Sequence, residues 1–163
     1  MSNKPSFELS ADSRFLLQEL RKVSVGETIV YDALSAAIGR PVKGNFSSLQ
    51  TAVRRLLRDD GIVFANVRGV GFKRLDDASI VRLGESETDA TRRRARRTVR
   101  KLTSVRDYAA LTPAMQLRHT ALVSINALIV DVARDQSVKK IEHASGGRSG
   151  ELPIAQTIRA LGY

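Results

Sequence analysis

The sequence lacks the residues on which most enzyme and metal sites are built. It contains no cysteine, no tryptophan and only two histidines, so disulfides, thiolate catalysis and cysteine-built zinc sites are excluded. Neither His119 nor His143 has a pair of carboxylates at ligand spacing, and both are expected to be ordinary surface residues. No serine lies in a G-x-S-x-G turn. The sequence therefore indicates no enzyme, cofactor, metal or small-molecule ligand.

Long apolar runs are also missing. No stretch reaches the roughly 20 apolar residues of a spanning helix, and the N-terminus lacks the apolar region of a signal peptide. The most basic segment has no interleaved Trp or Phe, which disfavours an interfacial membrane helix. We expect a cytoplasmic, nucleoid-associated protein with no membrane partner.

Negative charge is scarce relative to positive charge. The 163 residues include 27 Lys+Arg and 17 Asp+Glu, a formal charge of +10 with a pI near 10.6. Such a balance favours a polyanionic partner, with nucleic acid ahead of an anionic membrane. The 42% hydrophobic content still permits a real core.

The first half of the chain is predicted to contain two short helices and a strand. Ser10 can cap a helix that runs to about Val23 and packs through Phe15 and Leu20. TIVY is a short β-branched run. Asp32 is predicted to open the second helix, which a glycine ends.

A third helix is predicted over residues 47–60. Ser47 and Gln50 stand in the S-x-x-Q relation of a capping box. One face of the helix carries the apolar residues at helical spacing, namely Leu49, Ala52, Val53, Leu56 and Leu57.

The opposite face of this helix has no carboxylate before Asp59. Ser47, Thr51, Arg54 and Arg58 cluster there, flanked by Ser48, Gln50 and Arg55. Hydroxyl, amide and guanidinium groups satisfy both phosphate oxygens and major-groove base edges. We expect this face to read DNA, while an ordinary solvated basic face is the alternative.

A β-hairpin is predicted to follow directly. IVFANV is strand-like, RGVG is a tight turn and FKRL returns. The glycines do not match a dinucleotide fingerprint or a phosphate-binding P-loop. Two helices, a basic helix and a hairpin, in that order, predict a winged helix-turn-helix with residues 62–75 as the wing.

Residues 9–75 resemble the output domains of OmpR/PhoB-type bacterial response regulators. The segments that match are 15–20, 26–30, 53–57 and the wing VRGVGFKRL at 67–75, where Phe72 replaces the family's tyrosine and Arg74 is an extra residue. The resemblance implies a third helix in the major groove and Arg68 near the minor groove. The resemblance covers an output domain and no receiver domain, so control by aspartyl phosphorylation is not implied.

A second resemblance competes over residues 26–41. GETIVYDALSAAIGRP is similar to the start of the DNA-binding domain of alkylguanine alkyltransferases. Those proteins repair DNA through a cysteine, which is absent here, so any kinship is limited to the scaffold.

The second half is predicted to be a helical extension, residues 90–163, joined by a polar linker or extra strand at 76–89. ATRRRARRTVRKLTSVR packs eight cations into 17 residues, and we read it as a helix capped by Ser86 or Asp89. Contact with DNA phosphates is the preferred role, because an anion relieves such like-charge repulsion. An RNA-binding arm and a solvated surface are the alternatives.

An apolar helix is predicted from Thr112 and Pro113 to about Arg134. Its stripe at 3-4-3 spacing suits either an intramolecular core or the seam of a homodimer, and the candidate seam residues are Leu122, Ile125, Leu128, Ile129 and Val132. A glycine-rich linker at 143–153 and a short last helix, IAQTIRALGY, complete the chain.

The sequence thus predicts a mainly α protein with a small β-hairpin wing, a winged helix-turn-helix followed by a helical C-terminal extension. Its partner is expected to be double-stranded DNA, bound as a transcription regulator of a bacterium or phage or, alternatively, as a nucleoid-type architectural protein. The predicted DNA-binding residues are Lys43, Ser47, Ser48, Gln50, Thr51, Arg54, Arg55, Arg58, Arg68, Lys73, Arg93, Arg96, Arg97 and Arg100.

Overall fold

The computed structural model describes residues 9–144. The chain divides into two compact units, with the boundary between Arg82 and Leu83. Most of the predicted glycine-rich linker and all of the last helix, IAQTIRALGY, lie outside the described residues. The described part is mainly helical, with six helices and one small three-stranded antiparallel sheet. This confirms the coarse fold class expected from the sequence.

Helix α1 spans Ala11–Lys22 and begins at the predicted cap. The Ser10 side chain accepts a hydrogen bond from the Ser13 backbone N–H at 3.2 Å, which satisfies a donor of the first turn. Leu16, Leu17 and Leu20 are buried. The predicted packing through Phe15 is wrong, because its side chain is 55% exposed and the leucines at helical spacing fill the core instead.

Strand β1, Thr28–Val30, leads into helix α2, Tyr31–Ile38. Asp32 lies in the first turn of α2 but does not cap it, since the cap is Val30 and makes no side-chain hydrogen bond. The helix ends as predicted at Gly39, whose φ of 69° is a conformation that glycine adopts without the cost of a Cβ.

Helix α3 spans Ser47–Asp60 and ends at Gly61. The predicted capping box is wrong. Phe46 occupies the cap position without a side-chain hydrogen bond, and the Gln50 amide donates to the Gly44 carbonyl instead, at 2.5 Å. Leu49, Ala52 and Leu56 are buried; the predicted core residue Leu57 is 55% exposed.

The sheet joins β1 to the predicted hairpin, with strands β2, Phe64–Val67, and β3, Gly71–Arg74. The strand order is β1-β3-β2, and Phe72 of β3 is opposite both Ile29 and Asn66. A Cβ on Gly71 would overlap the Ile29 carbonyl oxygen. Glycine at this position therefore allows the middle strand to approach β1 closely.

One core holds this first unit together. Its buried members come from α1, α2, α3 and the sheet, and from the segments that join them. They are Leu16, Leu17, Leu20, Val23, Leu34, Val42, Leu49, Ala52, Leu56, Phe64 and Phe72.

Helix α4, Asp77–Leu102, replaces the predicted linker at 76–89. The Asp76 carboxylate accepts from the Ser79 backbone N–H at 2.7 Å and so caps the helix itself, which makes the expected caps at Ser86 and Asp89 unnecessary. The acidic and polar residues that suggested a linker are compatible with an exposed helix.

Helices α5, Pro113–Val132, and α6, Asp135–Ala144, complete the described chain. Thr112 caps α5 and Pro113 is its first residue, as predicted. His143 lies in α6 and not in a linker.

Candidate nucleic-acid interface

The exposed face of α3 carries the central residues of the predicted DNA-binding site. Ser47, Thr51 and Arg54 are exposed, and the Thr51 hydroxyl donates to the Ser47 carbonyl at 2.9 Å. Arg54 makes no hydrogen bond or ion pair with any residue between 9 and 144. Its guanidinium is therefore available to an external acceptor.

The other two arginines of α3 share one anion. Arg55 and Arg58 contact the Asp59 carboxylate at 2.7 and 2.8 Å. The hydrogen bond from Arg58 holds the pKa of Asp59 below its ordinary value, and the same bond raises the pKa of Arg58. Such exposed pairs are weak, so a phosphate can replace Asp59 at either guanidinium.

Two predicted contacts on α3 are already engaged within the protein. Ser48 is half-buried with its hydroxyl 3.5 Å from that of Ser10, and the Gln50 amide bonds the Gly44 carbonyl. Leu9 lines a cavity of about 360 Å³ together with Thr51 and the three arginines of α3. Fewer side chains of this face are therefore free to contact DNA than the sequence predicted.

The three cations of the hairpin differ in exposure and in their contacts. Arg68 lies exposed in the turn beside Gly69, whose φ is 76°. Lys73 is half-buried on the middle strand. Arg74 donates to the Val23 carbonyl at 2.9 Å and so ties β3 to the end of α1, a structural role that sequence reasoning did not identify.

A cleft of about 910 Å³ lies between the α2–α3 loop, residues 39–46, and the hairpin. Lys43 and Asn45 line it from the loop, and Asn66 and Arg68 line it from the hairpin. The sequence predicted Lys43 and Arg68 as separate contacts, and the fold brings them to one cleft.

The part of α4 that belongs to the second unit presents a dense exposed cationic surface. Arg93, Arg96, Arg97 and Arg100 are all exposed, whereas Ala95 is buried. The helix therefore has one covered side, and cations occupy the rest of its circumference. Arg92 differs from them, since it is half-buried and pairs with Asp89 at 2.9 Å.

No residue of α5 is buried, so the apolar stripe does not form an intramolecular core among the described residues. Leu122, Ile125 and Leu128 are 40–55% exposed, and Ile129 and Val132 are half-buried. This placement leaves the stripe open to a partner surface.

His119 is not the ordinary surface residue that was expected. It is half-buried, with Nε2 2.9 Å from the Leu102 carbonyl at the end of α4 and its ring at 5.3 Å from that of Tyr108, edge on. The Tyr108 hydroxyl donates in turn to the Gln116 carbonyl at 2.9 Å. These contacts fix the connection between α4 and α5, and no local motif predicts them.

Within residues 9–144, no group of three or more acidic or histidine side chains is placed to hold a metal ion. None of the described helices is long and apolar enough to cross a membrane. Comparisons of the chain with models of protein families, with curated proteins and with solved structures found no match.

Proposed function

We propose that this protein is a double-stranded DNA-binding protein of the winged helix-turn-helix class, acting as a transcription regulator of a bacterium or phage. In this proposal α3 enters the major groove and the β2–β3 hairpin is the wing. The observation that carries it is the face of α3, where Thr51 and the unpaired Arg54 are exposed on a helix fixed from behind by Leu49 and Leu56.

Each cation of the first unit then has a distinct role. Arg54 is free to pair with a guanine in bidentate fashion. Arg55 and Arg58 exchange Asp59 for backbone phosphates, which position the helix without reading sequence. Arg68, exposed in the wing turn, suits a narrow minor groove, whose negative potential attracts arginine.

The second unit would add affinity rather than base selectivity. The exposed arginines of α4 suit phosphate contacts, each of which releases counterions and makes binding salt-sensitive. The exposed α5 stripe would join two copies, because paired half-sites are bound more tightly by a dimer than by a monomer.

A nucleoid-type architectural protein is the second candidate. Six neighbouring exposed cations of α4 make no ion pair within the described residues, and this surface would hold DNA of any sequence. They are Arg93, Arg94, Arg96, Arg97, Arg100 and Lys101.

Selection of bound fragments from a random DNA pool at near-physiological salt tests the proposal. A regulator should enrich a motif with a defined half-site spacing and bind it roughly 10³-fold or more above random DNA. Retention of DNA without a motif would favour the architectural role, and no retention of DNA would refute both.

A further inference from the structure

We infer that the cleft between the α2–α3 loop and the hairpin binds the phosphodiester backbone of one DNA strand, and that a hydrogen bond between Tyr31 and Asn66 sets the spacing of its two cationic walls. The inference rests on the proposed function and adds a phosphate site with two positioning residues. We call the Tyr31–Asn66 hydrogen bond the latch.

The cleft has the shape and charge for an extended anion. Its volume is about 910 Å³, with Lys43 on the loop wall and Arg68 on the hairpin wall. Asn45 and Asn66 add amide donors, which also bind phosphate oxygens. Among the described residues of the lining, Asp32 is the one carboxylate and Lys43 and Arg68 are the cations, which leaves a net charge of +1.

The latch is anchored in the folded core. The Tyr31 hydroxyl donates to Asn66 Oδ1 at 2.8 Å, and the Tyr31 backbone N–H donates to the Val70 carbonyl at 3.0 Å. The Tyr31 ring also meets the buried Phe72 ring edge on, with centroids 6.1 Å apart. Tyr31 therefore connects the start of α2 to the hairpin.

Gly44 brings the loop against the latch. A Cβ at this position would lie 2.7 Å from the Tyr31 hydroxyl oxygen and 2.8 Å from Asn66 Nδ2, so no larger residue fits without moving the latch. The Gln50 amide holds the Gly44 carbonyl from the side of α3. Lys43 immediately precedes Gly44, and Arg68 is two residues beyond Asn66. The contact between Gly44 and the latch therefore sets the backbone positions of both cations.

In this geometry the polar groups of Gln50 and Tyr31 both make hydrogen bonds within the protein. Gln50 supports the loop instead of reading a base, and Tyr31 supports the hairpin. A backbone strand in the cleft would meet two cations whose backbone positions are already set, and a preorganised site costs less conformational entropy on binding than one that must be ordered.

The test uses the full-length protein and a duplex obtained by selection, with dissociation constants measured over a salt series. Lys43→Ala and Arg68→Ala should each flatten the slope of log affinity against log salt by about 0.9. Arg14→Ala removes an exposed cation of α1 that does not line the cleft and is the matched control, expected to keep the wild-type slope. Asp32→Asn should tighten binding, because it removes a negative charge from the lining.

The latch is tested by Tyr31→Phe, which deletes the hydroxyl and keeps the ring on Phe72. We expect affinity to fall roughly three- to tenfold, because the two walls lose their fixed spacing and must be ordered on binding. The melting temperature should fall by a few degrees, because the same hydrogen bond contributes to folding stability. In the Tyr31→Phe background, Lys43→Ala should cost less than it does in the wild type, because the lysine is no longer held in place. Gly44→Ala should reproduce the effect of Tyr31→Phe.

Each remaining outcome counts against a specific statement. Unchanged salt slopes for Lys43→Ala and Arg68→Ala, in a protein that binds DNA, would overturn the cleft while leaving the proposed function intact. Fully multiplicative effects of Tyr31→Phe and Lys43→Ala would overturn the latch. A further outcome is that inorganic phosphate protects the wild type against unfolding but not Lys43→Ala or Arg68→Ala, while both variants keep the wild-type affinity for DNA. That result would assign the cleft to a soluble anion and overturn the backbone site. Absence of any DNA binding would refute both proposals.

Discussion

Replacement of Arg54 by alanine is the most direct test of base reading by α3. Arg54 is exposed and has no partner among residues 9–144, so binding DNA requires no internal ion pair to break. A bidentate contact with a base is worth about 1–3 kcal/mol, which corresponds to a roughly 5- to 150-fold loss of affinity for the preferred site. The loss should be confined to DNA that carries the contacted base.

The matched control is Arg55→Ala, the neighbouring arginine on the same helix. Arg55 is half-buried and pairs with Asp59 at 2.7 Å, so its removal leaves Asp59 paired with Arg58 and deletes at most a phosphate contact. Fluorescence anisotropy with the selected duplex, and with duplexes substituted one base pair at a time, measures both variants. Arg54→Ala should lose its preference at one position, whereas Arg55→Ala should weaken binding to all duplexes alike.

An equal loss for Arg54→Ala on every duplex would refute base readout and assign Arg54 to the backbone. A larger loss of selectivity in Arg55→Ala than in Arg54→Ala would show that the arginine paired with Asp59, and not the unpaired Arg54, contacts the base.

Four further predictions concern stability, charge and assembly. Leu56→Ala should lower the free energy of unfolding by about 2–5 kcal/mol, because Leu56 is fully buried, while the exposed Leu57→Ala should change it by under about 0.5 kcal/mol; denaturant titrations that give equal losses would contradict this core. Hydrogen bonds from the Ser79 backbone and hydroxyl hold the pKa of Asp76 below its ordinary value. The ionised carboxylate therefore stabilises the folded protein above the unfolded pKa near 3.9, and this contribution is lost as the pH falls through the folded pKa. Unfolding monitored at several pH values should therefore show a steeper acid loss for the wild type than for Asp76→Asn, and parallel profiles would count against the cap. Glutamine at Arg93, Arg96, Arg97 and Arg100 should flatten the salt dependence of DNA binding by about 0.9 for each phosphate that these arginines neutralise, and an unchanged slope would remove α4 from the interface. Ile125→Asp should convert a dimer to a monomer in sedimentation, and a monomeric wild type would refute the α5 seam.

Local sequence determined much of the secondary structure. Ser10 begins α1, Gly39 and Gly61 end α2 and α3, and Thr112 with Pro113 begins α5, each as predicted. Such signals act through hydrogen bonds and backbone dihedrals within about four residues, so they can be read without the fold. Asp76 caps α4 by the same local chemistry, but this helix start was not predicted, because the acidic composition of 76–89 suggested a linker.

The positions of exposed cations were also readable from the sequence. Helical spacing placed Arg54 opposite the Leu49 and Leu56 stripe, and the hairpin placed Arg68 in its turn. These assignments depend only on periodicity, and the structure leaves both side chains exposed. Their contact with DNA stays a prediction.

Tertiary structure alone decided which polar groups remain available to a partner. Asn66 is 35 residues from Tyr31, and Arg74 is 51 residues from the Val23 carbonyl it contacts. The cleft likewise is formed by segments that are distant in the sequence, and they meet where Gly44 lies against the latch. The periodicity that placed Leu56 in the core equally suggested Leu57, and only the neighbouring elements decided between them. Such contacts depend on how distant segments pack and not on the residues beside them, because a side chain has no burial and no long-range partner until its neighbours in space are in place.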